Sequence, residues 1–180
     1  MSFTTYPPGK NLRDIHNLFP YIEDDVVAAV LDHTLAGNEL YKLDSRRILD
    51  FGWSVIDAEL DDSSISSTAT DMYMALDALV VPLNVYFSIL TVYGISRGQS
   101  SALPCYFFRY NSHLVKLANQ YKWHAVLAYH LAFFARRCGE MRSGDYTGWA
   151  GTEGDLMEEL LLPHRLSTKP IQAGRKDVRR

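Results

Sequence analysis

The chain has 180 residues, of which 47% are apolar and 22% charged, and a net charge of −3. That is the composition of an ordinary soluble globular protein, large enough to build a core without disulfide or metal staples, with one domain as the default. Met1 to Lys10 lacks a basic region followed by an apolar one, so no signal peptide is expected. The longest apolar run, around Leu79 to Gly94, is interrupted by Pro82, Asn84 and Ser88 and reads as too short to span a bilayer.

Charge is unevenly spread. Residues 1–77 carry 5 basic and 14 acidic side chains, a net of −9; residues 78–162 carry 7 and 6; residues 163–180 carry 6 and 1, a net of +5. An acidic front and a basic tail suit head-to-tail association between copies, or a tail that touches nucleic acid on a body that is not itself basic. A solvated acidic face with a loose terminus accounts for the same numbers.

In chain order, residues 1–9, with Pro7, Pro8 and Gly9, read as a flexible arm. Leu12, Ile15, Leu18 and Phe19 make a short amphipathic turn that ends before Pro20. Glu23, Asp24 and Asp25 place negative charge at the start of the next helix, whose apolar face is Val26, Val27, Val30 and Leu31 and which Gly37 and Asn38 close. A short helix capped by Asp44 or Ser45 is expected through Ile48, Leu49 and Trp53. Asp57 to Ser67 is the best internal loop, dividing a front lobe (10–60) from a back lobe (68–162) if the domain is divided at all. Thr70 or Asp71 then caps a long helix carrying Met72, Leu76, Leu79, Leu83, Phe87 and Leu90, which Pro82 should kink or divide near Ala78 to Val81.

Residues 102–139 read as a helical hairpin, the expected centre of the molecule. Pro104 suits a first helical turn, and Phe107, Tyr110, Leu114, Leu117 and Tyr121 recur at the spacing of a buried face. Trp123, Val126, Leu127, Leu131 and Phe134 repeat it, with Gly139 as a stop after Arg136 and Arg137. Ser143 to Trp149 is turn-rich, its aromatics packing back onto the body, and Thr152 caps a last helix that Pro163 ends. Residues 163–180 read as a disordered basic tail. The fold expected is all-α, a compact bundle of six to eight helices in residues 10–162.

Catalytic and metal chemistry find no foothold. Cys105 and Cys138 are isolated and read as buried thiols of a reducing compartment; no Cys-x-x-Cys, His-Glu-x-x-His or zinc knuckle occurs. His124 and His130 fall on different helix faces, and His113 with His130 across the hairpin reads as packing. Cys138 and His130 are eight positions apart, ~12 Å along a helix and too far for proton transfer. Asp24–Asp25 and Asp61–Asp62 suit a helix start and a loop. No enzymatic activity and no cofactor are expected.

The segment Phe108-x-Tyr110-x-x-His113-Leu114-x-x-Leu117-Ala118-x-x-Tyr121-x-Trp123, then Val126-Leu127-x-Tyr129-His130-x-x-Phe133-Phe134-x-x-Arg137, resembles Gag-like proteins of eukaryotic retroelements. Met141 and Gly144-Asp145-Tyr146-x-x-Trp149 extend the likeness, which spans residues 106–149, about a quarter of the chain. The resemblance implies an all-α, capsid-like protomer that self-associates around RNA and is not an enzyme. The chain departs from that pattern in having no zinc knuckle. The basic tail, with Arg165, Lys169, Arg175, Lys176, Arg179 and Arg180, is the expected site of salt-sensitive, non-specific RNA contact; Arg136, Arg137 and Arg142 would extend it if they face the same way.

The competing class is a helical adaptor that binds one protein partner through exposed aromatics such as Tyr6, Tyr41, Tyr146 and Trp149. A third is a small-molecule binder with a pocket of Tyr73, Tyr86, Tyr106 and Tyr129. The self-associating, capsid-like reading is the expectation, in an intracellular protein, cytoplasmic or nuclear, with itself and RNA as partners and no membrane contact.

Overall fold

The computed structural model describes residues 10–46 and 72–167. The arm, the helix expected beyond Arg46, the Asp57–Ser67 loop, Thr70 and Asp71 lie outside the described residues. So do Lys169, Arg175, Lys176, Arg179 and Arg180.

The described residues form an all-α bundle. Its elements are α1 (Lys10–Leu18), α2 (Asp24–Leu31), a 3-10 turn (Gly37–Leu43), α3 (Leu76–Ser96), α4 (Leu103–Gln120) and α5 (Trp123–Arg142). A second 3-10 turn (Thr147–Ala150) follows, then α6 (Gly154–Leu156), which runs through a π turn (Met157–Leu161) into a last 3-10 turn (Leu162–His164). Asp24 and Asp25 occupy the first turn of α2 as expected, and Asp25 Oδ1 accepts a hydrogen bond from the Val26 amide at 2.8 Å. Both oppose the positive end of the helix dipole.

The α4–α5 hairpin shares the centre with α3, on which α1, α2, α4 and the first 3-10 turn all pack. Helix α3 begins at Leu76, after an extended Ala75, rather than at Thr70 or Asp71. It also stays undivided at Pro82, which is buried inside it. A proline removes one backbone bond, and the burial of Leu79, Leu83, Tyr86, Phe87, Ile89 and Leu90 offsets that local loss. At 21 residues, with a mean hydropathy of 1.8 over an 18-residue window, α3 is longer and more apolar than the interrupted run suggests, enough to cross a bilayer by length and composition. Its apolar side is spent on the core, while Asn84 and Ser88 lie exposed on the other.

The hairpin positions fall as the periodicity demands. Tyr110, Leu114, Leu117, Tyr121, Leu127 and Phe134 are buried, and Trp123 is half-buried with its indole N–H donated to the Tyr73 carbonyl. Helix α5 does not stop at Gly139 but runs to Arg142 and turns at Gly144, whose φ of 87° is a left-handed conformation that glycine adopts without strain. Gly139 is exposed inside the helix, where its missing side chain costs propensity but opens no gap. The last helical segment starts after Glu153, not Thr152, and Pro163 sits in its final 3-10 turn instead of ending it. Proline is tolerated at the start of that turn because its absent N–H needs no partner there.

Aromatic rings fill the core. Phe87 stacks on Phe107 at 4.3 Å between centroids and Tyr110 on Phe133 at 4.6 Å, while Trp149 stands edge-on to this set. Residues 163–167, expected in a disordered tail, close over the α4–α5 turn instead. The Lys122 amide donates to the His164 carbonyl at 3.0 Å, and the Leu166 amide to the Gln120 carbonyl at 2.8 Å. Arg165 thereby pairs with Tyr121 in an isolated antiparallel bridge.

Candidate functional site

Helix α4 has two faces. Leu103, Phe107, Tyr110, Leu114 and Leu117 are buried, whereas Cys105, Phe108, Arg109, Ser112, Val115, Lys116 and Asn119 form an exposed stripe at the same three- and four-residue spacing. Phe108 is 68% exposed and Val115 44%, two large apolar groups two turns apart on the same outward line of the helix. The electrostatic setting is one-sided, because no Asp or Glu occurs between Asp77 and Glu140. Beside the stripe runs an open groove of about 330 Å³, walled by Phe108, Arg109, Ser112, His113 and Lys116 on one side and Gly151 and Thr152 on the other. His113 sits against the Tyr129 hydroxyl at 3.4 Å, and burial, with the Lys116 charge second, lowers its pKa. Averaging over residues 78–162 hides this acid-free stretch. Counting charge element by element finds it.

A contrasting surface lies on α1 and α2. Asp14, Glu23, Asp24 and Asp25 are exposed there together with Arg13, and Leu18, the last residue of α1, is 59% exposed. Asp24 approaches His16 Nε2 at 3.5 Å. Helices α2 and α4 each lean on α3, so the acidic and cationic faces belong to separate parts of the surface.

Several expected site residues serve the interior. Trp149 is fully buried and Tyr146 nearly so, which removes both as anchors for a partner; Tyr41 is half-buried and Tyr6 lies outside the described residues. The tyrosines proposed to line a ligand pocket do not converge. Tyr73 receives the Tyr41 amide at 2.9 Å, Tyr86 meets Cys138 Sγ at 3.6 Å, and Tyr129 meets His113. Tyr106 is only partly buried. Cys138 is buried but Cys105 is exposed, because it falls on the outer stripe of α4.

Nor do Arg136 and Arg137 extend a basic surface. Arg136 binds Glu153 and Asp155, and Arg137 is 4% exposed between Glu140 and Glu153. Arg142 donates to the His33 carbonyl at 2.9 Å. Arg165 is exposed at the root of the tail, beside Lys122. Among the described residues, no three His, Cys, Asp or Glu side chains come together as a metal site.

Two buried histidines give the body a pH dependence. His130, wholly enclosed, receives or donates one hydrogen bond, with Tyr110 at 2.8 Å, and burial lowers its pKa from 6.5 to about 3. His33 holds a left-handed φ of 56° after α2 and pairs with the Tyr146 hydroxyl at 3.0 Å; burial first, then the Arg142 charge, brings it from 6.5 to about 4. Both folded values lie below the unfolded one. The stability this represents is therefore complete above pH 6.5 and is lost as pH falls from there toward 4 and 3, where the unfolded chain takes up protons that the folded chain refuses. The expected slope is roughly 1.4 kcal/mol per pH unit for each histidine. Urea midpoints at pH 7, 6 and 5 check it, and His33→Asn, which tolerates the left-handed backbone, should remove about half of the slope.

No family model, curated protein or solved structure matches this chain.

Proposed function

We propose that this chain is a structural protein whose helical body self-associates, in the manner of Gag-like, capsid-like proteins, with its basic tail in non-specific contact with RNA. The single observation that carries the first part is the α4 stripe, where Phe108 and Val115 stand exposed on a helix held rigidly by its other face. Exposed apolar groups on a well-packed helix cost solubility unless something covers them. The groove beside α4 and a second one lined by His33, Tyr93 and Arg97 both lie open to solvent, which favours contact with a macromolecule over enclosure of a small one.

The test is mass against concentration and salt, by light scattering with and without RNA. Large particles whose growth RNA promotes are the expected result. A monomer or fixed dimer indifferent to RNA sinks the proposal in favour of an adaptor with a different protein partner. The tail contribution is read from a truncation made after Ser167, because Arg165 and Leu166 are bonded to the α4–α5 turn and belong to the body. Removing residues 168–180 should abolish RNA affinity at physiological salt while leaving the helical circular dichroism intact. Unchanged RNA affinity would overturn the assignment to the tail.

A further inference from the structure

We propose that the self-association is heterologous: the α4 face of one copy binds the α1–α2 edge of a second copy. This inference rests on the self-associating reading above and supplies its two surfaces. The α4 face offers Arg109 and Lys116 along one side of Phe108 and Val115. The α1–α2 edge offers Glu23, Asp24 and Asp25 around the start of α2 and Leu18 at the end of α1. Each face thus sets apolar groups among charge, net positive on α4 and net negative at the α1–α2 edge, where Arg13 on α1 offsets only part of the carboxylates.

Pairing α4 with α4 would bring cation to cation, and pairing the α1–α2 edge with itself would bring carboxylate to carboxylate. Like charges in a shared interface disfavour both isologous arrangements, which leaves the mixed one. The apolar groups supply most of the hold; the charges orient the encounter and exclude the wrong pairing, so association should weaken as salt rises. Because the two faces sit on different helices around α3, a bound copy leaves one face of each kind open, and the contact propagates into a ring or a filament rather than stopping at a dimer.

A charge-swap experiment on the full chain, freed of nucleic acid, tests this by light scattering at low salt. One variant carries Arg109→Glu and Lys116→Glu; the other carries Glu23→Lys and Asp24→Lys. Each alone should associate at least about tenfold more weakly than the unmodified protein. Mixed in equal amounts they should assemble again, since the acidic α4 of one meets the basic α2 of the other and each retained face still finds its complement. Circular dichroism verifies that both variants are folded. Glu23→Gln with Asp24→Asn, gentler on the start of α2, should weaken association about threefold and guards against a folding artefact.

Failure of the mixture to assemble overturns the inference, as does an α4 reversal that leaves assembly unchanged. Loss of assembly in the α4 variant alone, with the α2 variant unaffected, also overturns it, because α4 would then bind some other surface. In all three cases the unmodified protein still assembles and self-association stands. An unmodified protein that stays monomeric at every concentration removes both readings together.

Discussion

Trp149→Ala is expected to destabilise the fold by about 3–5 kcal/mol, lowering the melting temperature by roughly 10 °C or more. Trp149 lies in a four-residue 3-10 turn and is fully buried, yet it touches three helices at once. Its ring stands edge-on to Phe87 of α3 at 4.9 Å, to Tyr110 of α4 at 5.1 Å, and to Phe133 and Phe134 of α5 at 5.8 and 5.7 Å. Its N–H points to Met141 Sδ at 3.2 Å. Truncation removes a large buried area and leaves a cavity walled by stiff rings that cannot collapse into it. Trp149→Phe keeps part of the packing and should cost less than half as much. Urea denaturation and near-ultraviolet circular dichroism measure both; a loss under 1 kcal/mol for the alanine variant would mean that the turn is not seated among the helices.

Arg137→Met should cost about 3 kcal/mol, and the damage should be local first. The guanidinium donates to the Gly148 carbonyl at 2.8 Å, to Glu140 at 2.6 Å and to Glu153, and it lies 4.7 Å from the centre of the Phe133 ring. One buried side chain of α5 thus pins both ends of the segment that carries Trp149. Methionine fills the space but leaves a carbonyl and two carboxylates without their donor, and removing one partner of a buried set costs more than the set is worth as a whole. Part of the loss is recovered, because Glu140 and Glu153 are partly exposed and Glu153 keeps Arg136 at 2.6 Å. Gly148 belongs to the same device, since a Cβ there would press into the Arg137 guanidinium and Glu140. Hydrogen exchange should show faster opening across residues 143–155 before the helices are affected. Uniform exchange with unchanged stability would contradict this role.

The sequence by itself determined the helical class, the positions of α4 and α5 to within a turn, the start of α2, and which faces they bury. Those follow from local rules: the 3.6-residue period of Phe107, Tyr110, Leu114 and Leu117, the acids that open α2, and the proline that opens α4. It also marked the hairpin as a core element, and Tyr110, Leu127 and Phe134 are buried as their spacing requires. Helix α2, by contrast, ends at Leu31, and Gly37 and Asn38 open a separate 3-10 turn instead of closing it.

Where local signals competed with packing, only the tertiary structure decided. Pro82 and Gly139 are breakers by propensity, yet α3 and α5 pass through them because neighbouring helices stabilise the longer element. Trp149 and Tyr146 read equally as core or as partner anchors, and the ion pairs of Arg137 settle the matter by folding their loop inward. Residues 163–167 are poor in apolar side chains and read as a loose tail, but backbone bonds to Gln120 and Lys122, which carry no sequence signature, hold them to the body. The outward stripe of α4 was present in the sequence as the complement of the buried face. What makes it a surface is that no other element among the described residues packs over it, a fact of three-dimensional arrangement that no local pattern encodes.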